Sequence, residues 1–243
     1  MLVRNRMGKY TEMAEHYDTI VLSGYYDYDS VVESLEALHY GSNLLEIGCG
    51  TGLILEKLAQ KDSLRSLTGI DFTDSMLDIA KKRLKKHRQV QLFSQNVVSL
   101  QLPAQYSTAF SWGGAWYFSR KNKQLNFISH LQEQIENERG IENISNHIIP
   151  GGYLLLGIQG PHYDYSEPVS NGMTYSQRIF SERDGFIKEY YMLDGEKVVM
   201  SQSIHYRMYS FEESVQMLSR YGLLYQPAKK THKDELFLVF KKV

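Results

Sequence analysis

The chain has 243 residues, 42% of them hydrophobic and 23% charged, with 27 basic against 28 acidic side chains and a formal net charge of -1. That length suits one large α/β core, and the balanced charge excludes the basic excess of a general nucleic-acid binder. A single cysteine, Cys49, excludes an intramolecular disulfide and a cysteine-rich metal site.

In chain order, Met1 to Arg6 carries charge without a following apolar run, so neither a signal peptide nor a membrane span is expected, and the location expected is cytoplasmic. Tyr10 to Ile20 and Tyr28 to His39 have helical apolar spacing and predict a helical N-terminal cap over residues 1–40. The apolar run Leu44-Leu45-Glu46-Ile47 then reads as a buried parallel strand. Gly48, Gly50 and Gly52 at alternate positions after it let the backbone turn sharply and approach a ligand closely. Thr51 and Gly52 open the next helix. A second strand, Leu64 to Ile70, ends at Asp71, which in a doubly wound sheet lies beside the carboxyl end of the first, where a carboxylate can accept hydrogen bonds from a ribose diol.

Glu46-Ile47-Gly48-Cys49-Gly50-Thr51-Gly52, with Gly69-Ile70-Asp71-Phe72 about twenty residues on, resembles motif I of class I S-adenosylmethionine (SAM)-dependent methyltransferases. The dinucleotide fingerprint G-x-G-x-x-G has a different spacing and serves a pyrophosphate, whereas SAM has no phosphate and tolerates a carboxylate before the glycines. The resemblance implies a doubly wound, seven-stranded Rossmann-like sheet of order 3-2-1-4-5-7-6 with the last strand antiparallel. It also implies SAM as methyl donor, S-adenosylhomocysteine as product and no metal. Glu46 would help hold the methionine end, the loop of Gly48, Cys49, Gly50 and Gly52 would surround the donor, and Asp71 with Phe72 would take the ribose. Cys49 reads as packing beside the cofactor. In Glu15-His16-Tyr17-Asp18, Tyr17 resembles a recurrent tyrosine that reaches the SAM carboxylate or the methyl donor, with plain packing equally open; Tyr25 and Tyr26 are weaker candidates for that role.

Thr73-Asp74-Ser75 starts a helix with capping residues, and Met76 occupies a place the family uses against adenine. The basic run Lys81 to Arg88 near that helix's end reads as a solvated face complementing the helix dipole. Strand three, Val90 to Ser94, leads to Asn96 and Val97, where the family has an acidic contact to the adenine amino group; the Asn96 amide oxygen can still accept from it. Strand four, Ala109 to Trp112, brings Ser111 and Trp112 to the donor, and Trp116 and Tyr117 to an acceptor, core packing being the other reading of these aromatics. The Asn/Asp-Pro-Pro-aromatic motif common in methyltransferases of base amino groups and glutamine amides is replaced by Ser111-Trp112-Gly113-Gly114, which disfavours those acceptors.

A helix is expected from Lys121 to His147, then Pro150-Gly151-Gly152 leading into strand five, which closes a SAM-binding core over residues 41–160. Residues 161–209 are expected to form an antiparallel lid. Thr174 to Phe180, Phe186 to Leu193 and Lys197 to Arg207 are its strands, and Asp184-Gly185 and Asp194-Gly195 its hairpin signals. Residues 210–243 complete the core with a helix, Phe211 to Tyr221, and strands Leu223 to Gln226 and Leu236 to Lys241. The whole reads as a single domain. A similar insert occurs in glycine N-methyltransferase-like and sugar-amine N-methyltransferases.

The acceptor expected is a small molecule methylated on nitrogen or oxygen by in-line displacement, with no nucleic acid or membrane as partner. Many of the 18 tyrosines fall in the lid; Tyr163 and Tyr165 are candidate acceptor walls, and Arg178 and Arg207 candidate carboxylate ligands, with salt bridging within the lid as the simpler reading of the two arginines. His162, His205 and Tyr17 are the candidate catalytic groups, with loop structure and solvent exposure as competing roles for the histidines. The lid also offers a surface for pairing two protomers. A peptide or protein methyltransferase and a SAM-binding regulatory protein without turnover are the alternatives.

Overall fold

In a computed structural model, described over residues 10–38, 41–61, 65–227 and 236–243, the first strand, β1 (Asn43–Ile47), is buried on both faces. Leu45 and Ile47 enter one apolar cluster and Leu44 the other. A strand buried on both sides needs helices above and below, which parallel crossovers supply. On one face lie α2 (Tyr28–Ala37), α3 (Leu53–Lys61) and α4 (Asp74–Leu84), contributing Val31, Leu55, Leu58 and Ala80. On the other lie α5 (Gln134–Asn146) and α6 (Phe211–Arg220), contributing Ile141, Ile144, Met217 and Leu218.

Parallel to β1 run β2 (Ser66–Asp71), β3 (Val90–Ser94), β4 (Tyr106–Ser111) and β7 (Ile148–Gln159). β13 (Phe237–Lys242) is antiparallel to β7, and β12 (Leu223–Gln226) pairs with β13. The order is therefore β3-β2-β1-β4-β7-β13-β12, the seven-stranded arrangement expected from the sequence. The strand ends that follow Ile47, Asp71, Ser94 and Ser111 gather at one edge.

Beyond the core, the end of β7 pairs through Ile158 and Gln159 with β5 (Trp116–Lys121). That contact begins an antiparallel sheet continuing through β6 (Gln124–Ser129), β11 (Lys197–Ser210), β10 (Gly185–Asp194), β9 (Thr174–Glu182) and β8 (Tyr165–Pro168). Its inner face shares a cluster with Met13 and Ile20, so the segment leading into α1 (Ala14–Ile20) lies on it; the Met13 N–H donates to Gln202 Oε1 at 3.1 Å. Asp18 then ties α1 to the glycine loop. Its carboxylate accepts from Thr51 Oγ1 at 2.6 Å and pairs with Arg83, which also reaches the Thr51 carbonyl at 2.8 Å and Glu56 at 3.0 Å. One member of the basic run is thus a structural tie.

Two expectations are corrected. The helix predicted from Lys121 to His147 is confined to Gln134–Asn146, because Gln124–Ser129 is a strand. Its hairpin turns through Asn122 (φ 50°) and Lys123 (φ 71°). A two-residue turn with both φ positive ordinarily shows a glycine, and here none marks it. The Asp-Gly signals are displaced by a residue at the first hairpin: Gly185 already pairs with Glu182, whereas Asp194 pairs with Lys197 and leaves Gly195 in the turn. The expectations for Met1 to Arg6, His39 and Leu64 lie outside the described residues.

Candidate functional site

The loops after β1 and β4 touch backbone to backbone. A Cβ on Gly48 (φ +71°) would stand 2.6 Å from Gly114 Cα, and one on Gly114 would collide with the Ile47 carbonyl oxygen. Only glycine permits this approach. Asp71, at the end of β2, is anchored by the same loop: Oδ2 accepts from the Gly50 N–H at 2.9 Å and Oδ1 from the Thr73 N–H at 2.8 Å. Desolvation nonetheless raises its carboxyl above the ordinary value. Glu46 is 3% exposed, with Oε2 unpartnered, and its carboxyl is pushed well up by burial and then by Asp71. A buried carboxylate lacking a partner calls for a donor or a cation. These two carboxylates around a glycine cradle therefore fit a ligand with hydroxyls and positive charge, as SAM has, and disfavour a phosphate.

From this edge a cavity runs to the second sheet. Phe72, Met76, Asn96 and Val97 line its core end, along with Gly48, Gly50 and Asp71. Asn96 caps the short turn Val97–Ser99, its Oδ1 accepting from the Val98 N–H at 3.0 Å, so the side chain the sequence assigns to adenine also shapes the wall. Tyr17 borders both ends; burial, with the nearby Asp18, Glu46 and Asp71 charges, lifts its phenol to about 12.

The far end is built of tyrosines, one histidine and one lysine. Tyr10, Tyr25, Tyr175 and Tyr190 line it with His130 and Lys188. Behind them the Tyr10 and Tyr206 hydroxyls are 2.7 Å apart and those of Tyr190 and Tyr206 2.5 Å. Burial holds these phenols above their ordinary value, hence neutral. His130 follows β6, is 7% exposed, and leaves Nε2 without a partner. Burial lowers its pKa to about 4 against an opposing Gly113 backbone hydrogen bond, so the ring is neutral at pH 7.

Several residues anticipated for the site lie elsewhere. Cys49 is buried in the cluster beneath α3 and α4, and Gly52 abuts Leu84 and Ala80. Ser111 is fully buried, and Trp112 packs on Tyr26 and Phe237. Trp116 is a core residue donating to Asn137 Oδ1 at 2.8 Å. Tyr117 and His162 bond to each other, Oη to Nε2, at 2.9 Å behind the cavity wall; burial lowers His162 to about 3. Tyr165 packs on Tyr25 and Tyr175, while Tyr163 is 57% exposed.

Arg178 and His205 are corrected by strand alternation, the side-chain period being two. Tyr175 and Gln177 face inward on β9 and Ile204 and Tyr206 on β11, so these two candidates face outward, His205 Nδ1 lying 3.1 Å from Glu182 Oε2. Arg207 bonds the Gln132 carbonyl at 3.0 Å. Missed by the sequence reading were Tyr10, His130 and Lys188. Lys188 carried a signal, since it falls in phase with Phe186, Tyr190 and Met192, an inward register where a charge is anomalous.

The fold is the mixed α/β Rossmann-like arrangement seen in methyltransferase structures, and residues 44–152 match a family model described as a methyltransferase domain. Among curated relatives, the chain is 28% identical over 117 residues to a malonyl-[acyl-carrier protein] O-methyltransferase of Bacillus anthracis, covering 48% of this chain and 37% of that one. It is 26% identical over 150 residues to the dTDP-3-amino-3,6-dideoxy-alpha-D-glucopyranose N,N-dimethyltransferase of Streptomyces fradiae, covering 60% and 52%. The chain spans about half the length of the first curated relatives it matches, from 32% to 63%. Among solved structures, DesVI of Streptomyces venezuelae matches with TM-score 0.71 and 18% identity over 95% of this chain and 98% of that one. A SAM-dependent methyltransferase of Clostridium acetobutylicum matches with TM-score 0.69 and 17% identity over 96% and 98%.

Proposed function

We propose that the protein transfers a methyl group from SAM to nitrogen or oxygen of a small metabolite. The observation carrying this reading is a single cavity that joins the glycine loop and Asp71 to a tyrosine-walled end containing His130. Glu46 and Tyr17 would hold the amino-acid end of SAM, Asp71 the ribose, and Met76, Asn96 and Val97 the adenine. SAM supplies an electrophilic methyl group. The chain's own contribution is to exclude water and to hold the acceptor in line, and well-oriented reactants can gain about 7–11 kcal/mol in this way. The bare Nε2 of His130 would take the acceptor's proton, a contribution of about 10²–10⁴-fold in rate. Similar proteins include an amino pentose methyltransferase and a sugar N-methyltransferase, which supports an acceptor of metabolite size.

A cytoplasmic location belongs to this reading; no helix among the described residues is long and apolar enough to cross a membrane. So does a homodimer through the second sheet, whose exposed Phe180, Val198 and Val199 offer apolar surface; a monomer in light scattering removes that element. Calorimetry with SAM and S-adenosylhomocysteine tests the cofactor, and absence of binding to both sinks the proposal. Methylation of pooled amines, acids and phenols, read by mass spectrometry beside peptide pools, tests the acceptor. Transfer to peptides alone assigns a peptide methyltransferase, and cofactor binding without any transfer assigns a regulatory protein.

A further inference from the structure

The acceptor end holds a cation that no carboxylate of the described residues neutralises. Lys188 is 3% exposed, lines the cavity, and forms none of the ion pairs found among those residues. Its Nζ donates to Tyr25 Oη at 2.8 Å and lies 5.3 and 4.8 Å from the Tyr25 and Tyr190 ring centroids. Tyr25 passes the bond on to Gln177 Oε1 at 3.1 Å, which fixes the direction of the chain. An ammonium has three donors, and the bond to Tyr25 uses one. Two aromatic faces favour the charged form, while burial alone pulls the pKa from 10.5 to about 7. A lysine kept for packing would bury its stem and send its nitrogen to water; this one is directed inward, beside the cavity.

We infer that Lys188 binds a carboxylate of the acceptor, so that the small metabolite methylated here is an acid. The inference rests on the methyl-transfer reading of the cavity. Other ionisable groups do not supply the missing charge. Tyr10 and Tyr25 from the N-terminal segment, Tyr175 from β9, Tyr190 beside Lys188 and Tyr206 from β11 have raised phenols and stay neutral. His130 and His162 are neutral at pH 7, each disfavoured as a cation by burial and by Lys188. Asp71 belongs to the donor end, held by the Gly50 and Thr73 N–H groups.

The test is calorimetry on the full chain saturated with S-adenosylhomocysteine, using acetate, malonate and benzoate beside their amides. Carboxylates should bind at least about tenfold more tightly than the matching amides, as a buried charge-assisted contact requires. Lys188→Met should abolish that preference and leave S-adenosylhomocysteine affinity within about twofold, while Lys188→Arg should keep part of it. In the wild type, carboxylate affinity should fall about tenfold per pH unit above the pH at which Lys188 of the carboxylate-free protein deprotonates, a reading that stands even where a variant misfolds. Binding of S-adenosylhomocysteine without any carboxylate preference, or a preference unchanged in Lys188→Met, overturns the inference. Failure of S-adenosylhomocysteine itself to bind overturns the underlying methyltransferase reading instead, and the two outcomes are separate in one experiment.

Discussion

At the scale of single residues, Asp71 anchors the glycine loop, and the proposed function gives it the ribose as well. Its carboxylate is held by the Gly50 and Thr73 N–H groups, so Asp71→Ala orphans two donors, each costing about 1–3 kcal/mol when buried, and removes the acceptor proposed for the ribose. Affinity for SAM should fall by at least about tenfold, with a lowered thermal midpoint; calorimetry and thermal denaturation read the two effects, and unchanged affinity contradicts the ribose assignment. Glu46 behaves oppositely. Burial raises its carboxyl, so the folded state binds its proton more tightly than the unfolded chain does, and stability is lost as pH rises through the folded value. Glu46→Gln should therefore stabilise the cofactor-free protein at neutral pH while weakening SAM binding, seen as a raised midpoint and a raised Kd. His130→Ala should lower kcat by about 10²–10⁴-fold and leave S-adenosylhomocysteine affinity intact; an unaltered kcat removes His130 from the chemistry.

At the scale of elements, the site depends on how closely β1 and β4 bring their loops. Gly114→Ala drives a methyl group into the Ile47 carbonyl, and overpacking of this kind costs about 1–3 kcal/mol. Denaturant titration should show that loss, and a variant of native stability would mean the loops part easily. The second sheet sets the tyrosine-walled end of the cavity by the same kind of local rule. Alternation on β10 puts Lys188 and Tyr190 inward, and alternation on β9 and β11 puts Arg178 and His205 outward. The antiparallel strands were legible from their patterning, but which face met the cavity was not, because the choice depends on where α1 and its leading segment pack.

For the molecule as a whole, three kinds of buried group give stability a pH signature. Lys188 titrates near 7 when folded against 10.5 otherwise, so the unfolded chain binds more protons between those values and stability rises with pH across that window. His130 and His162, lowered to about 4 and about 3 from 6.5, contribute stability present above 6.5 and lost as pH falls toward those values. The raised tyrosines reverse the trend above about 10, where the unfolded chain ionises first. Denaturation midpoints should therefore climb from pH 7 to 10 in the wild type relative to Lys188→Met; parallel curves would show that Lys188 is not desolvated. The seat proposed for the donor was readable in the chain because its parts are local: a strand, a glycine turn, and a carboxylate one strand later, with Glu46, Gly48, Gly50 and Asp71 all within a short stretch. Their chemistry follows from residue type and spacing alone. The seat proposed for the acceptor joins Tyr10, His130 and Lys188, over a hundred residues apart at its extremes, and no periodicity links them. Only the packing of the N-terminal segment against the second sheet brings them together, since burial and charge balance at that distance are properties of the folded chain.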